Sequence, residues 1–281
     1  MAAAQVAMVD HLVQGRLVLG VGPGVPGDAE AIGDLAPDRH RKTREALDHM
    51  CRIWREAPPY RIEGEFYRTT TERSLDPAIG VGIARPPLQR PHPPIAITSI
   101  RPDGKGAHAA GARGWTGISA AYVGAYVVQA HIRSYLEGRS SAGLSSDPAG
   151  WRVARSVFVA DDEATAQRYA HREDGAHGFY FQVMRTKLAR AGALDVMRDF
   201  PGQPDSELSI SRCLERLVIA GTAQRVADRI LELRHDVGAF GTLLYTGHDW
   251  SDPALARRSM ELVANEVWPR IEAYTQSERH A

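Results

Sequence analysis

The chain has little cysteine, no excess of either charge and no long apolar run. Its 281 residues include two cysteines, Cys51 and Cys213, whose spacing fits neither a disulfide framework nor a metal knuckle. Each is flanked by apolar residues at helical period, the setting of a buried thiol. Lysine plus arginine number 34, as do aspartate plus glutamate, so no net charge draws the chain toward nucleic acid or anionic lipid. No apolar stretch reaches the roughly eighteen residues that cross a bilayer. The N-terminus carries no charged leader followed by an apolar core, and a soluble, cytoplasmic protein is expected. HExxH, Walker and GxSxG motifs are absent, which removes the zinc-hydrolase, nucleotide-phosphate and α/β-hydrolase readings they carry.

What the chain does have is alternation of apolar strands and amphipathic helices, with an apolar fraction of 43% that argues against disorder. Helices are expected over 2–13, 38–56, 123–137, 163–174 and 178–191, and again after Thr222 and after Ser251. Asp161 and Asp162 open the fourth of these with carboxylates suited to unpaired N–H groups. Thr222 is the expected cap of the next-to-last helix, and Pro253 sits in the first turn of the last, where a missing N–H does no harm. Gly64 to Tyr67 reads as a short extended piece, and LVIAGT (217–222) as a lead into a helix. Five segments read as strands of a parallel barrel: 16–22, 95–100, 115–120, 152–159 and 241–246. Continuously apolar strands between helices predict parallel β with helices outside. A closed (β/α)8 barrel needs three strands more.

Candidate functional residues lie where such strands end. GRLVLGVGPGVPGD (15–28) runs from a strand into a glycine turn, and Gly22 and Gly24 there either allow close approach of a ligand or simply make the turn. TSIRPDGKGAHAAG (98–111) is a strand end, a glycine-bearing loop and a short helix, whose first N–H groups can hold phosphate. Ser99, Arg101, Gly104, Lys105 and Gly106 are its cofactor-binding candidates. Arg101 or Lys105 could meet an anion directly, whereas Asp103 repels one unless turned away. YTGHDW (245–250) closes the last strand. His248 is the catalytic candidate, since its ordinary pKa permits proton transfer, and Trp250 is a candidate wall of the substrate pocket. Asp249 and Trp250 could equally begin the cap of the last helix. Arg152 and Arg155 fall on opposite faces of one strand, and a buried Arg155 would require a partner, expected to be structural. No pattern of ligands suggests a metal.

Several segments in order resemble the bacterial luciferase-like flavin-dependent monooxygenases. They include VDHLVQGRLVLGVGPG, RHRKTREALDHMCRIW, IEGEFY, PPIAIT, AAGARGW, WRVARSVFVADD, IAGTAQRVADRI and RRSMELVANEVWPRI. The glycine loop and FGTLLYTGHDW resemble the limonene- and alkanal-type branch. The resemblance covers essentially the whole chain. It implies a luciferase-like (β/α)8 TIM barrel with about five of eight strands present, the N-terminal βα units having no counterpart here. Residues 1–281 would then be one partial barrel domain with an insertion-like excursion around 178–215. The resemblance implies reduced FMN as cofactor, O2 as co-substrate, a small hydrophobic organic substrate, a possible flavin reductase and a homodimer. It places the flavin phosphate at the segment holding Ser99. Pro23 stands where many members carry a phosphate-binding arginine, so that contact is not expected. The absent strands would leave unpaired edges and predict aggregation or rearrangement. A deazaflavin-dependent oxidoreductase of the same superfamily, and an inactive fragment or partner subunit, fit the same residues.

Overall fold

The computed structural model describes residues 1–24, 31, 33, 38–248 and 252–280. The chain divides into two compact units, Met1–Ile97 and Thr98–Ala281. Among the described residues no helix is long and apolar enough to cross a membrane.

In the first unit, helix α1 (Ala2–Leu12) leads to strand β1 (Leu19–Val21), then helix α2 (Arg39–Arg55) and the strands β2 (Arg61–Glu63) and β3 (Arg68–Thr70). Strand β4 (Ile95–Ser99) pairs in parallel with β1, Leu19 opposite Ile95 and Val21 opposite Ile97. Asp10 on α1 is fully buried; it accepts from the backbone N–H and side-chain amide of Gln89, at 2.8 and 2.7 Å. Burial opposes its charge, but the bonds to Gln89 outweigh that and hold the carboxyl below its usual range.

Gly64–Tyr67 is not extended. It is the turn of an antiparallel hairpin, β2 with β3. Glu45 on α2 overrides the local preference: its carboxylate accepts the backbone N–H groups of Glu65, Phe66 and Tyr67 at 3.0, 2.9 and 2.7 Å. A side chain at position 64 would collide with that carboxylate, which is why glycine stands there. Burial works against the charge of Glu45, yet the three N–H donors keep its carboxyl below the usual carboxylate range.

The second unit begins within β4. It continues through α3 (Lys105–Ala112), β5 (Thr116–Ser119), α4 (Ala125–Ser141), β6 (Trp151–Val159), α5 (Glu163–Ala170) and α6 (Ala176–Arg190). It closes with α7 (Ile210–Leu217), β7 (Val218–Gly221), α8 (Ala223–Val237), β8 (Thr242–Thr246), α9 (Pro253–Leu262), one π turn (Val263–Val267) and α10 (Trp268–His280). Helix starts follow the expected capping chemistry. Asp162 accepts from Thr165 N–H at 2.8 Å and Thr222 from Arg225 N–H. At α9 the cap is Asp252, which accepts from Leu255 N–H at 3.0 Å, with Pro253 as first helical residue.

The nine-residue β6 organises the parallel sheet of this unit. Its first residues pair with β5 and its last with β7, while β8 runs along 152–156. Val153 is matched by Ser119 and by Leu243, and Ser156 by Val218 and by Thr246. It follows that β5 and β7 share one edge of β6 and β8 takes the other. The architecture is an incomplete (β/α) barrel: the five expected strands are present, and the buried VIAG of β7 adds a sixth, short parallel strand.

Alternation along β6 gives it two faces. Val157 and Val159 pack outward with Ile219, Val226, Ile230, Leu262 and Val267. Full burial of each such aliphatic contributes about 1.5–3 kcal/mol. Ser156 and Phe158 take the opposite face. Arg155 falls on the helix-facing parity and is 2% exposed. Its partner is the Ala154 carbonyl at 2.9 Å, and among the described residues no carboxylate pairs with it. Burial pulls its pKa down to about 10, still protonated at neutral pH.

Replacing Glu45 with alanine is expected to release the turn without unfolding the second unit. Amide hydrogen exchange at Glu65, Phe66 and Tyr67 should quicken about tenfold or more, the scale of one hydrogen bond lost per amide. Since the folded carboxyl lies below its ordinary 4.5, the latch is complete above that pH and weakens as pH falls below it. Exchange that is unchanged in Glu45→Ala would remove the carboxylate from this role.

Candidate active site

Two clusters in the second unit meet the requirements of a site. The first stands at the C-terminal ends of β6 and β8. His248, just past β8, shares a hydrogen bond of 2.6 Å between Nε2 and Ser156 Oγ. Its ring stacks on Tyr180 of α6, 3.9 Å between centroids and 22° between planes. It stands edge-on to His177, 5.4 Å away at 86°. Tyr169 of α5 meets His177 edge-on at 6.3 Å and stacks on Phe158 at 4.2 Å. The result is a continuous ladder of five rings: Phe158, Tyr169, His177, His248 and Tyr180.

Burial disfavours charge on two rings of the ladder. It pulls the His248 pKa below its ordinary value and pushes Tyr180 up to about 12, aided by the neighbouring Tyr122. Tyr122 is itself raised by burial. A neutral His248 spends Nε2 on Ser156 and has no recorded hydrogen-bond partner at Nδ1 among the described residues. Next to it lies a cleft of about 860 Å3, walled by Tyr169, Phe179, Leu255 and His248, with Arg168 and Arg172 also on its lining. With Asp174 and Thr165 there too, the cleft sets aromatic and aliphatic surface beside polar and charged groups, a lining that can hold an apolar body and orient a polar group.

The second cluster is the segment from Ser99 to Ala112. Ser99 is 7% exposed and its Oγ has no hydrogen-bond partner. An unpaired buried hydroxyl costs about 1–3 kcal/mol, so a ligand atom that meets it gains that much. Gly106 leaves room beside it, since a Cβ there would stand 3.4 Å from Ser99 Oγ. The N–H groups of Gly106 and Ala107 open α3 without intrahelical acceptors. Gly104 caps the helix in the left-handed region, φ 62°, and any side chain there would strike Ser134 of α4. Asp103 turns its carboxylate onto Lys105 N–H at 3.3 Å. Arg101 reaches Asp195 at 3.5 Å, an exposed contact of about 0–1 kcal/mol that a better anion can displace.

Behind that loop lies a buried chain of polar groups. Trp151 Nε1 donates to Ser119 Oγ at 3.0 Å, Ser119 Oγ lies 3.0 Å from His131 Nδ1, and His131 Nε2 lies 2.8 Å from the Arg101 carbonyl oxygen. Burial lowers the His131 pKa to about 4, against the raising influence of the Arg101 carbonyl and Asp103. The ring is neutral at pH 7.

Of the residues singled out in the sequence, Ser99, Arg101, Gly104, Lys105 and Gly106 fall together in the second cluster, and His248 falls in the first. Gly22 and Gly24 follow β1 in the first unit. Gly22 has open space where a Cβ would go and Gly24 has φ 70°. Asp249 and Trp250 lie outside the described residues. Ser156, Tyr169, His177 and Tyr180 were not anticipated as site residues. For His177 and Tyr180 the visible signal was HGFYF (177–181), aromatic and helical at the start of the expected excursion. Among the described residues no group of His, Cys, Asp or Glu could hold a metal.

Residues 1–240 match the family model described as luciferase-like monooxygenase. The chain belongs to that family. The 4-hydroxyprotoasukamycin monooxygenase of Streptomyces nodosus subsp. asukaensis is 28% identical to it over 280 residues, 96% of this chain and 70% of that protein. The 3,6-diketocamphane 1,6-monooxygenase of Pseudomonas putida is 24% identical over 96% of this chain and 75% of its own length. A solved structure of the oxygenating constituent of 3,6-diketocamphane monooxygenase from the Pseudomonas putida CAM plasmid, a type II Baeyer-Villiger monooxygenase in complex with FMN, superposes with a TM-score of 0.82. It is 25% identical and is matched over 96% of this chain and 75% of that one.

The neutral His131 predicts an acid limb. Its folded pKa lies below the ordinary 6.5, so the unfolded chain takes up the proton first. Its contribution to stability is therefore intact above about 6.5 and lost progressively toward about 4. That interval corresponds to about 3 kcal/mol. Denaturant unfolding at pH 7 and pH 4.5 should show a smaller loss on acidification in His131→Gln than in the parent. An equal loss in both would mean that another group carries the acid sensitivity.

Proposed function

We propose that this chain is an FMN-dependent monooxygenase that oxidises a small hydrophobic organic molecule with O2. Likeness to an FMN-bound relative at a TM-score of 0.82 across 96% of the chain carries this reading. The residues present fit the cofactor. Ser99 Oγ, the N–H groups of Gly106 and Ala107, and Arg101 or Lys105 would hold the flavin phosphate, with the two cations offsetting Asp103. When bound, reduced FMN supplies the activation of O2.

The protein's own part is binding, orientation and exclusion of water. Tyr169, Phe179 and Leu255 offer an apolar wall, and His248 Nδ1 is the hydrogen-bonding group available to orient a carbonyl or hydroxyl or to hold a proton near it. Residues 1–281 are taken as one catalytic domain in which 178–215 contributes Phe179 to the substrate side. A separate reductase would supply reduced FMN, and a homodimer is the proposed assembly.

Titration of the purified chain with FMN, riboflavin and a deazaflavin, followed by flavin fluorescence, tests the cofactor assignment. Saturable binding of one FMN per chain at micromolar concentration is expected, weakened about fivefold to a hundredfold in Ser99→Ala, the worth of one charge-assisted hydrogen bond. A preference for the deazaflavin would replace the monooxygenase by a hydride-transferring enzyme, and no flavin binding by folded protein would leave the chain without independent catalysis. With substrate in hand, His248→Gln should lower kcat about tenfold or more and leave FMN affinity unchanged. Unaltered turnover would take His248 out of the reaction.

A further inference from the structure

The chain Trp151–Ser119–His131–Arg101 has a direction that the chemistry of its ends dictates. Indole Nε1–H can only donate, so Ser119 Oγ accepts from Trp151. The carbonyl of Arg101 can only accept, so His131 carries its hydrogen on Nε2. A neutral ring with Nε2–H has Nδ1 as acceptor, and the Ser119 hydroxyl donates to it. Every group is used once, and every hydrogen points toward the backbone of the loop after β4.

All three side chains are buried, with Ser119, His131 and Trp151 each at 0% exposure. A relay this deep contributes little that apolar packing would not supply equally well. What it does, and packing cannot, is fix the position of one peptide. The Arg101 carbonyl lies two residues from Ser99 and ahead of Gly104–Gly106. On the same helix, Ser134 seats Gly104 and the Tyr135 carbonyl packs against Gly111. Helix α4 is thus a template against which the whole loop is laid.

We infer that His131 is a positioning residue for the phosphate-binding loop: by donating Nε2–H to the Arg101 carbonyl it sets the backbone N–H groups and Ser99 Oγ in the arrangement that receives a phosphomonoester. This rests on the flavin phosphate binding at Ser99 and α3. Because His131 never touches the ligand, its effect is confined to the phosphate end. It therefore governs discrimination between FMN and riboflavin, which differ only by that phosphate.

The experiment measures the affinity of the full chain for FMN and for riboflavin in the parent, Ser99→Ala, His131→Leu, His131→Gln and Ser119→Ala, with thermal unfolding of each. Glutamine can place an amide N–H toward Arg101 and an amide oxygen toward Ser119, so it serves as the conservative variant. The expected result is a fall of about tenfold in FMN affinity for His131→Leu, little change for riboflavin, and recovery in His131→Gln. Ser119→Ala, which keeps the ring but releases its Nδ1, should show a smaller loss of the same kind. Equal losses for FMN and riboflavin, or no loss in either His131→Leu or Ser119→Ala, would overturn the inference. If Ser99→Ala leaves the FMN-to-riboflavin ratio of the parent untouched, the phosphate lies elsewhere and it is the cofactor placement that fails. Should His131→Leu not fold, Ser119→Ala and His131→Gln still decide: both keeping the parent's ratio while Ser119→Ala loses the exchange protection of the loop amides would show that the loop tolerates release from His131.

Discussion

Strand β6 is hydrogen-bonded along both edges, and the second unit depends on that constraint. A strand paired on two sides in a parallel sheet has both faces covered, so its residues must satisfy two environments at alternate positions. Val157 and Val159 face helices α8 and α9, while Ser156 and Phe158 face the rim where His248 arrives. The same nine residues therefore build the core and seat the site. A one-residue slip of register would exchange these two sets, placing Ser156 against leucine and valine and Val157 against His248. The helix-side packing thus fixes the rim geometry.

The ring ladder ties several elements together at the rim. Four of its rings come from β6, α5 and α6 and the fifth from the end of β8, so the wall exists only when four elements are in place. Burial holds Tyr180 protonated and His248 neutral at pH 7. In the proposed function, water exclusion and an imidazole contact are the protein's part, since the difficult chemistry belongs to the cofactor.

What the sequence revealed was what is decided locally. The caps Asp162 and Thr222 and the stop after α2 depend on residues within one turn, and they stand where expected. The five strands were legible because continuous apolar runs between helices have few other uses. The hairpin at 61–70 was not, because its turn is imposed by Glu45, about twenty residues earlier and on another element. Val218–Gly221 was too short to declare itself a strand and is one only because β6 extends far enough to pair with it. His248 was visible as a residue type at a strand end. Its pairing with Ser156, separated by 92 positions, carries no local signal. The loop bearing Ser99 was legible as a phosphate candidate, whereas the support from His131, a histidine in the middle of a helix, was not.

The two clusters solve opposite electrostatic problems. At the rim, burial moves the pKa values of His248 and Tyr180 away from ionisation. In the proposed function the loop after β4 receives a dianion while carrying Asp103 of its own. Its solution is to place the charges outside and the neutral donors inside: Arg101 and Lys105 are solvent-accessible and able to move, while Ser99 and the His131 relay are buried and fixed. Mobile charges supply attraction that tolerates imprecise placement, since Coulomb energy varies slowly with distance. Hydrogen bonds from buried groups supply direction, because they weaken steeply off their axis. A neutral histidine is the residue suited to the fixed part, since it can accept from Ser119 and donate to Arg101 without bringing a charge that would bias the loop.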